Sequence, residues 1–162
     1  MKKLTLILSL MFIVTLFVPA LGIGETRDDL VRRGGLFYKK FTEVPFTGTV
    51  TGIVQGEIKK GKWDGPWVRY WKNGQLWGKG TYKNGKKDGP WVMYRKNGQL
   101  FYKETYKNYK KDGPWVMYHK NGQLWFKGTY KNGNKEGPWV WHKKDGTVVE
   151  EMTGTYKNGV KV

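Results

Sequence analysis

Four carboxylates recur at a fixed interval in this 162-residue chain: Asp64, Asp88, Asp112 and Glu136 stand 24 residues apart, each directly before Gly-Pro. Paired carboxylates hydrolyse glycosides when the two groups lie ~5 to 9.5 Å apart. Such a pair needs its members in unlike environments, so that one keeps its proton while the other is charged. Four acids in identical settings offer no such contrast, and Asp before Gly more simply bonds the amides of its turn. His119 and His142 are the only histidines, and other units carry Arg95 and Tyr118 in their places. Two histidines fall short of the three or four ligands that zinc takes. There is no Cys, and the one Ser, Ser9, lies in the N-terminal apolar run. Serine and cysteine nucleophiles are therefore excluded from a mature chain that has lost that run. No Gly-rich phosphate loop leads into a helix pattern. These residues point to no catalytic set, no metal and no cofactor.

Cations and aromatic residues repeat more suggestively. The formal charge is +17, yet 16% of residues are aromatic, too many for a disordered polycation, so the charge sits on something folded. Lys86, Lys87, Lys110, Lys111 and Lys135 fall in the same inter-unit turn. Stacked units would align them as a positive stripe with a step of about 10 Å. That stripe suits lipid headgroups, acidic glycans or an acidic protein; its alternative role is to keep the ribbon soluble and stop edge pairing. Nucleic acid is disfavoured for an exported chain. Trp67, Trp91, Trp115 and Trp139 form a second array. They would either cover the neighbouring strand or stack on sugar rings and partner chains.

The elements that must position these rows follow from the repeat. Asp64-Gly65-Pro66-Trp67-Val68 returns at 88, 112 and, with Glu, at 136; Lys72-Asn73-Gly74-Gln75-Leu76 and Gly80-Thr81-Tyr82-Lys83-Asn84-Gly85 keep the same beat. Gly56 to Gly61 reads as a worn predecessor, and the last copy arrives two residues late, with an insertion between Val148 and Gly154. Asn-Gly between two β-rich runs predicts a two-residue type I′ hairpin, and Pro marks where each new strand starts. A two-residue turn at Asn73-Gly74 places Lys72 opposite Gln75, Trp71 opposite Leu76, Arg69 opposite Gly78 and Trp67 opposite Gly80. Trp67 would then cover Gly80, Trp115 would cover Gly128, and Trp91 would meet Glu104 and break the pattern. Val68, Tyr70, Trp77 and Lys79 would take the other face, while a three-residue turn would swap the faces. With large apolar groups on both sides, the expected fold is all-β: an elongated single-layer antiparallel β-meander of tandem 24-residue hairpins, about 40 Å long over four repeats.

Residues 57–162 resemble MORN repeats, in the bacterial variant whose units carry the Asp-Gly-Pro-Trp-Val and Asn-Gly-Gln-Leu blocks. The resemblance implies one hairpin per unit. It also implies roles seen in the family: YwqK-type antitoxins among bacterial chains, phosphoinositide binding and protein scaffolding among eukaryotic arrays. Tyr109 in place of Gly and the stretched last unit depart from the pattern.

Upstream, Lys2 and Lys3 precede an apolar run, Leu4 to Val18, that spans roughly 22 Å as a helix, short of a ~30 Å hydrocarbon core. Pro19-Ala20-Leu21-Gly22 then suits cleavage, so residues 1–22 read as a signal peptide, with an uncleaved membrane anchor as the alternative. No Cys ends the run, which excludes a lipoprotein. Residues 23–56 read as a charged, mobile leader or short helical turn at Glu25–Arg33, followed by a divergent β cap in which Gly35–Lys39, similar to Gln99–Lys103, opens the array. The chain is thus expected to be periplasmic or extracellular. It is expected to be a non-enzymatic binding or scaffolding surface for a protein or an anionic lipid or glycan, with peripheral membrane contact allowed. An antitoxin-like immunity protein and a carboxylate-dependent polysaccharide enzyme are the alternatives.

Overall fold

The computed structural model describes residues 24–162; the expected signal peptide lies outside the described residues. The chain enters through β1 (Glu25–Thr26), a 3-10 turn (Arg27–Asp29) and a hairpin of β2 (Leu30–Arg33) and β3 (Leu36–Lys39). β4 (Gly48–Thr51) and β5 (Val54–Lys59) lead into the repeats. These are β6 (Lys62–Tyr70) with β7 (Leu76–Lys83), then β8 (Lys86–Tyr94) with β9 (Leu100–Lys107). After the short β10 (Lys110–Lys111) come β11 (Gly113–Tyr118) with β12 (Leu124–Lys131), β13 (Asn134–Trp141) with β14 (Gly154–Lys157), and β15 (Val160–Lys161). All but β2 and β3 join one open 13-stranded sheet in which consecutive strands are neighbours from β4 onward, β10 pairing with β9. Among described residues every pairing is antiparallel except that of β1 with β4. The expected all-β meander of hairpins is what forms.

Two kinds of turn alternate, where one was expected. Between units, Asn84 (φ 51°) and Gly85 (φ 79°) are both left-handed, as type I′ requires, and Lys60–Gly61, Asn132–Gly133 and Asn158–Gly159 match them. Within units the turn has three residues. Trp71 N–H donates to the Gln75 carbonyl and Gly74 N–H to the Trp71 carbonyl, with Gly74 alone in the left-handed region. Trp71 therefore faces Gln75 and Tyr70 faces Leu76, in place of the expected pairs at that end of the hairpin. The faces nevertheless do not swap. A bulge at Trp77 supplies the compensating residue, so that Arg69↔Gly78 and Trp67↔Gly80 stand as expected. The bulge also turns Trp77 onto the Trp67 face, where its ring lies 5.9 Å from Trp67 and 4.3 Å from the Arg69 guanidinium carbon. Trp77 was expected on the opposite side.

The sheet thus has one aromatic face and one face of Val, Thr, Pro and Lys. Trp67, Trp91 and Met93 are buried on the aromatic side, with Trp63, Trp77, Tyr82, Tyr102 and Tyr106 packed around them. Its tightest contact is a ring against bare backbone. A Cβ on Gly80 would come within 2.2 Å of the Trp91 indole, and one on Gly128 within 2.1 Å of Trp139. The indole over each glycine comes from the following unit, not from the directly paired Trp67 or Trp115 as expected. The reason is a second register shift, where Lys79 pairs with Val92 but Thr81 with Asp88, leaving Gly80 beside the Gly89–Pro90 step. Pro90 can donate nothing to the ladder there, and the interruption opens a seat for the ring.

At the N-terminal end, β2 and β3 form their own two-stranded sheet, so Leu36–Lys39 is a strand but does not open the array. Leu30 and Phe37 from this hairpin bury against Val50 and Ile58, with Phe46 and Trp63 at the margin. The pairing of Glu25 and Thr26 with Val50 and Thr51 and the burial of Leu30 tie Glu25–Arg33 into this cap. Arg27–Asp29 forms a short 3-10 turn, so of the two expectations for this segment it is the helical turn that forms. At the other end the insertion is absorbed by a tight turn, with Thr153 N–H donating to the Val149 carbonyl. The register Trp139↔Gly154 is thereby the same as Trp67↔Gly80. Because the glycine seats admit no side chain, Gly80→Ala or Gly128→Ala should lower stability by about 1–3 kcal/mol, read as a lower urea midpoint at unchanged slope.

Candidate functional site

Adjacent residues on a strand point to opposite faces, and this divides the basic stripe. Lys86 and Lys110 are exposed beside the turns, Lys86 lying 4.6 Å from the Tyr109 ring. Lys87, Lys111 and Lys135 instead fold onto the aromatic face. The Lys87 ammonium is 4.5 Å from the Trp91 ring and 5.2 Å from Tyr106; Lys111 is 3.4 Å from Trp115 and 5.2 Å from Tyr130. Lys135 sits among Trp139, Trp141 and Tyr156 at 5.2, 4.3 and 4.8 Å. Three of the four units thus close their aromatic layer with an ammonium over two or three rings, an attraction that strengthens as water is excluded. The first unit carries Trp63 at that position. Trp91 and Trp139 are buried beneath these lids, Trp115 is half-buried beneath its own, and Trp67 is buried against the Trp77, Tyr82 and Trp91 rings. The four indoles line up along the sheet as the repeat demands, yet they present little surface to a ligand.

One residue breaks the layer. Glu104 occupies the strand position held by Gly80 and Gly128, and its carboxylate, 5% exposed, accepts a 2.6 Å hydrogen bond from the Lys87 ammonium. The consequence falls on Trp115, not on the directly paired Trp91. Trp91 and Trp139 each donate an indole N–H to the carbonyl of Thr81 or Thr129 at 3.1 Å. Trp115, displaced from its seat, leaves its buried N–H without a partner. Burial raises the phenols of Tyr82 and Tyr130. Burial and then the Glu104 charge raise Tyr106 and push Tyr102 up to about 12. Desolvation lowers Lys111, against the pull of Glu104, and lowers Lys135.

The recurrent acids serve turns. Asp64, Asp112 and Glu136 accept the backbone N–H of Asn84, Asn132 and Asn158, at 3.1, 3.0 and 2.9 Å. The turn each holds is that of the neighbouring hairpin, twenty or more residues on, and not its own as sequence reasoning supposed. At Asn108–Tyr109 no such bond forms, and Tyr109 stays left-handed at φ 67° without the ease of glycine. His119 reaches the His142 carbonyl at 2.8 Å and stacks on Trp125. It repeats the reach of Trp71 to the Tyr94 carbonyl and Arg95 to the Tyr118 carbonyl, so its position is that of a strand-to-strand tie. Among described residues no cluster of His, Asp and Glu could hold a metal ion.

Sequence reasoning missed the tyrosines that wall each lysine and the bulge aromatics Trp77, Phe101 and Trp125, of which Trp125 is 41% exposed. The repeated spacing of Lys87, Trp91 and Tyr106 at Lys111, Trp115 and Tyr130, and at Lys135, Trp139 and, two residues late, Tyr156, was the available signal. The family model for the MORN repeat variant matches three consecutive segments, residues 63–84, 87–108 and 111–132, each one hairpin of the sheet. No curated protein matches the chain.

Two outcomes follow from this packing. Glu104→Gly should let Trp115 seat like its equivalents, seen as slowed hydrogen exchange of its indole N–H. Glu104→Gln, which leaves Lys87 without its carboxylate, should cost about 1–3 kcal/mol. Alkaline pH should also unfold the protein through its tyrosines. Their folded pKa values lie above the ordinary 10.0, so their stabilisation is full below about pH 10 and is lost as pH rises toward 12. Lys111 and Lys135, lowered in the fold, oppose this by regaining stability as pH climbs through their folded values. With four phenols against two ammonium groups, the denaturant midpoint should fall over that window, and tyrosinate absorbance should rise in two steps with Tyr102 in the later one.

Proposed function

We propose that this chain, which carries tandem MORN repeat variants, is an exported, non-enzymatic binding or scaffolding surface for a protein or an anionic envelope component, lipid headgroup or glycan. Repeats of this family are commonly binding or scaffolding modules and are generally not enzymes. The observation that carries the reading is uncompensated, periodic charge. The formal charge is +17, and three of the four recurrent carboxylates accept turn amides. Among described residues Lys79, Lys86, Lys103, Lys110 and Lys127 have no carboxylate within ion-pair distance. A stiff sheet that presents the same cation once per unit binds through several weak contacts in series, and their effective concentrations multiply. The N-terminal lysines and the apolar run from Leu4 to Val18 support passage out of the cytoplasm to the periplasm or beyond.

Capture from an envelope fraction at two salt concentrations tests this. An anionic component should be held at low salt and released at high salt, because contacts between exposed charges are screened. Retention of one acid-rich protein at high salt would overturn the multivalent surface in favour of a dedicated partner of the immunity type. Capture of nothing anionic at either salt would overturn the reading altogether.

A further inference from the structure

The face opposite the tryptophans carries a row that the turn stripe does not include. Val68 pairs with Lys79, Lys79 with Val92, Val92 with Lys103, Lys103 with Val116, Val116 with Lys127 and Lys127 with Val140. Valine and lysine therefore alternate in one unbroken line across seven strands. The lysine positions are two strands apart, a step of about 10 Å. Lys79, Lys103 and Lys127 are exposed, and none has a carboxylate within ion-pair distance among described residues. A parallel line of Thr81, Thr105 and Thr129, each paired with a proline, runs alongside. Two open grooves of ≈ 540 and ≈ 640 Å³ lie end to end on this face, the first lined by Lys79 and Lys103, the second by Lys127.

We propose that this valine–lysine row is a binding track for an acidic polysaccharide laid along the long axis of the sheet, with a carboxylate or sulfate on alternate sugar rings. The proposal rests on the surface reading above and gives it a ligand class and a place. Three physical arguments select the occupant. The row is cationic and unpaired, so it takes an anion. The sheet twists by about 20° per strand, so Lys79 and Lys127, four strand steps apart, point roughly 80–100° away from each other. A flat bilayer cannot meet both, whereas a linear polymer can follow the turn. A polypeptide laid on the face would find no backbone partners, because the amides and carbonyls of these strands are committed to the ladder. Sugar hydroxyls can instead bond the threonine hydroxyls, and ring faces can rest on the valines. A β-linked pyranose chain advances by about one strand spacing per ring, which brings every second ring over a lysine.

The test uses the full chain with hyaluronate, in which alternate rings carry a carboxylate, beside neutral dextran, poly-glutamate and vesicles containing phosphatidylglycerol. Hyaluronate should bind in a salt-dependent way and dextran should not. The triple variant Lys79→Gln/Lys103→Gln/Lys127→Gln should weaken hyaluronate binding at least tenfold with an unchanged thermal midpoint, while Lys86→Gln/Lys110→Gln should weaken it less than threefold. Loss in the Lys86/Lys110 variant with none in the triple variant would overturn the track and leave the general surface standing. So would poly-glutamate or vesicles binding more tightly than hyaluronate. Failure of every anionic probe to bind would sink both.

Discussion

The seating of an indole on bare glycine backbone in the preceding unit is the contact on which the repeat architecture turns. A single-layer sheet has no second layer to bury its apolar face, so each unit must be covered by its neighbours. Trp91 on Gly80 and Trp139 on Gly128 do this at ring-to-backbone distance, and the indole N–H finds a threonine carbonyl as it settles. Because the ring comes from the following unit, cover passes from one hairpin to the next. At the C-terminal end no indole follows, and the Lys161 side chain lies over Gly154 instead; at the N-terminal end the β2–β3 hairpin packs Leu30 and Phe37 on Val50 and Ile58.

Glu104 shows how sensitive that contact is to one side chain. Where a glycine would admit the ring, a carboxylate fills the space, takes Lys87 as its counter-ion and holds Trp115 off its seat with an unpaired N–H. The aromatic layer consequently falls into two blocks, one around Trp67 and Trp91, the other around Trp139 and Trp141. Lysine lids cover both. Those lids also consume part of the basic residues. Lys87, Lys111 and Lys135 belong to the packing of one face, and the cations of the turns and of the opposite face stay open to a partner. Two faces of one sheet thus do separate work, one stabilising and one available.

Much of this was legible in the chain itself. A period marked by Gly-Pro-Trp and Asn-Gly announces tandem hairpins, and the pairing of Trp67 with Gly80 followed from counting. What escaped is what lies off the local chain: which indole covers which glycine, on which side Trp77 emerges, and which turn each recurrent carboxylate caps. Each depends on a bulge or on a partner one strand away, and bulges have no fixed residue signature.

The tripeptide Lys-Asn-Gly puts the division most plainly. It occurs at residues 72–74 and again at 83–85, with identical intrinsic preferences. Its composition dictates that the chain reverses at both places, because Gly takes the left-handed conformation without steric cost. Which reversal forms is decided by neighbours. The Asn73 side chain accepts from Gln75 N–H and donates to the Lys96 carbonyl of the next unit, and the turn widens to three residues. Asn84 instead offers its backbone N–H to Asp64 and Gly85 offers its own to the Trp63 carbonyl, and the turn closes on two. The same three residues obey different partners, and those partners exist only once the adjacent strand is in place.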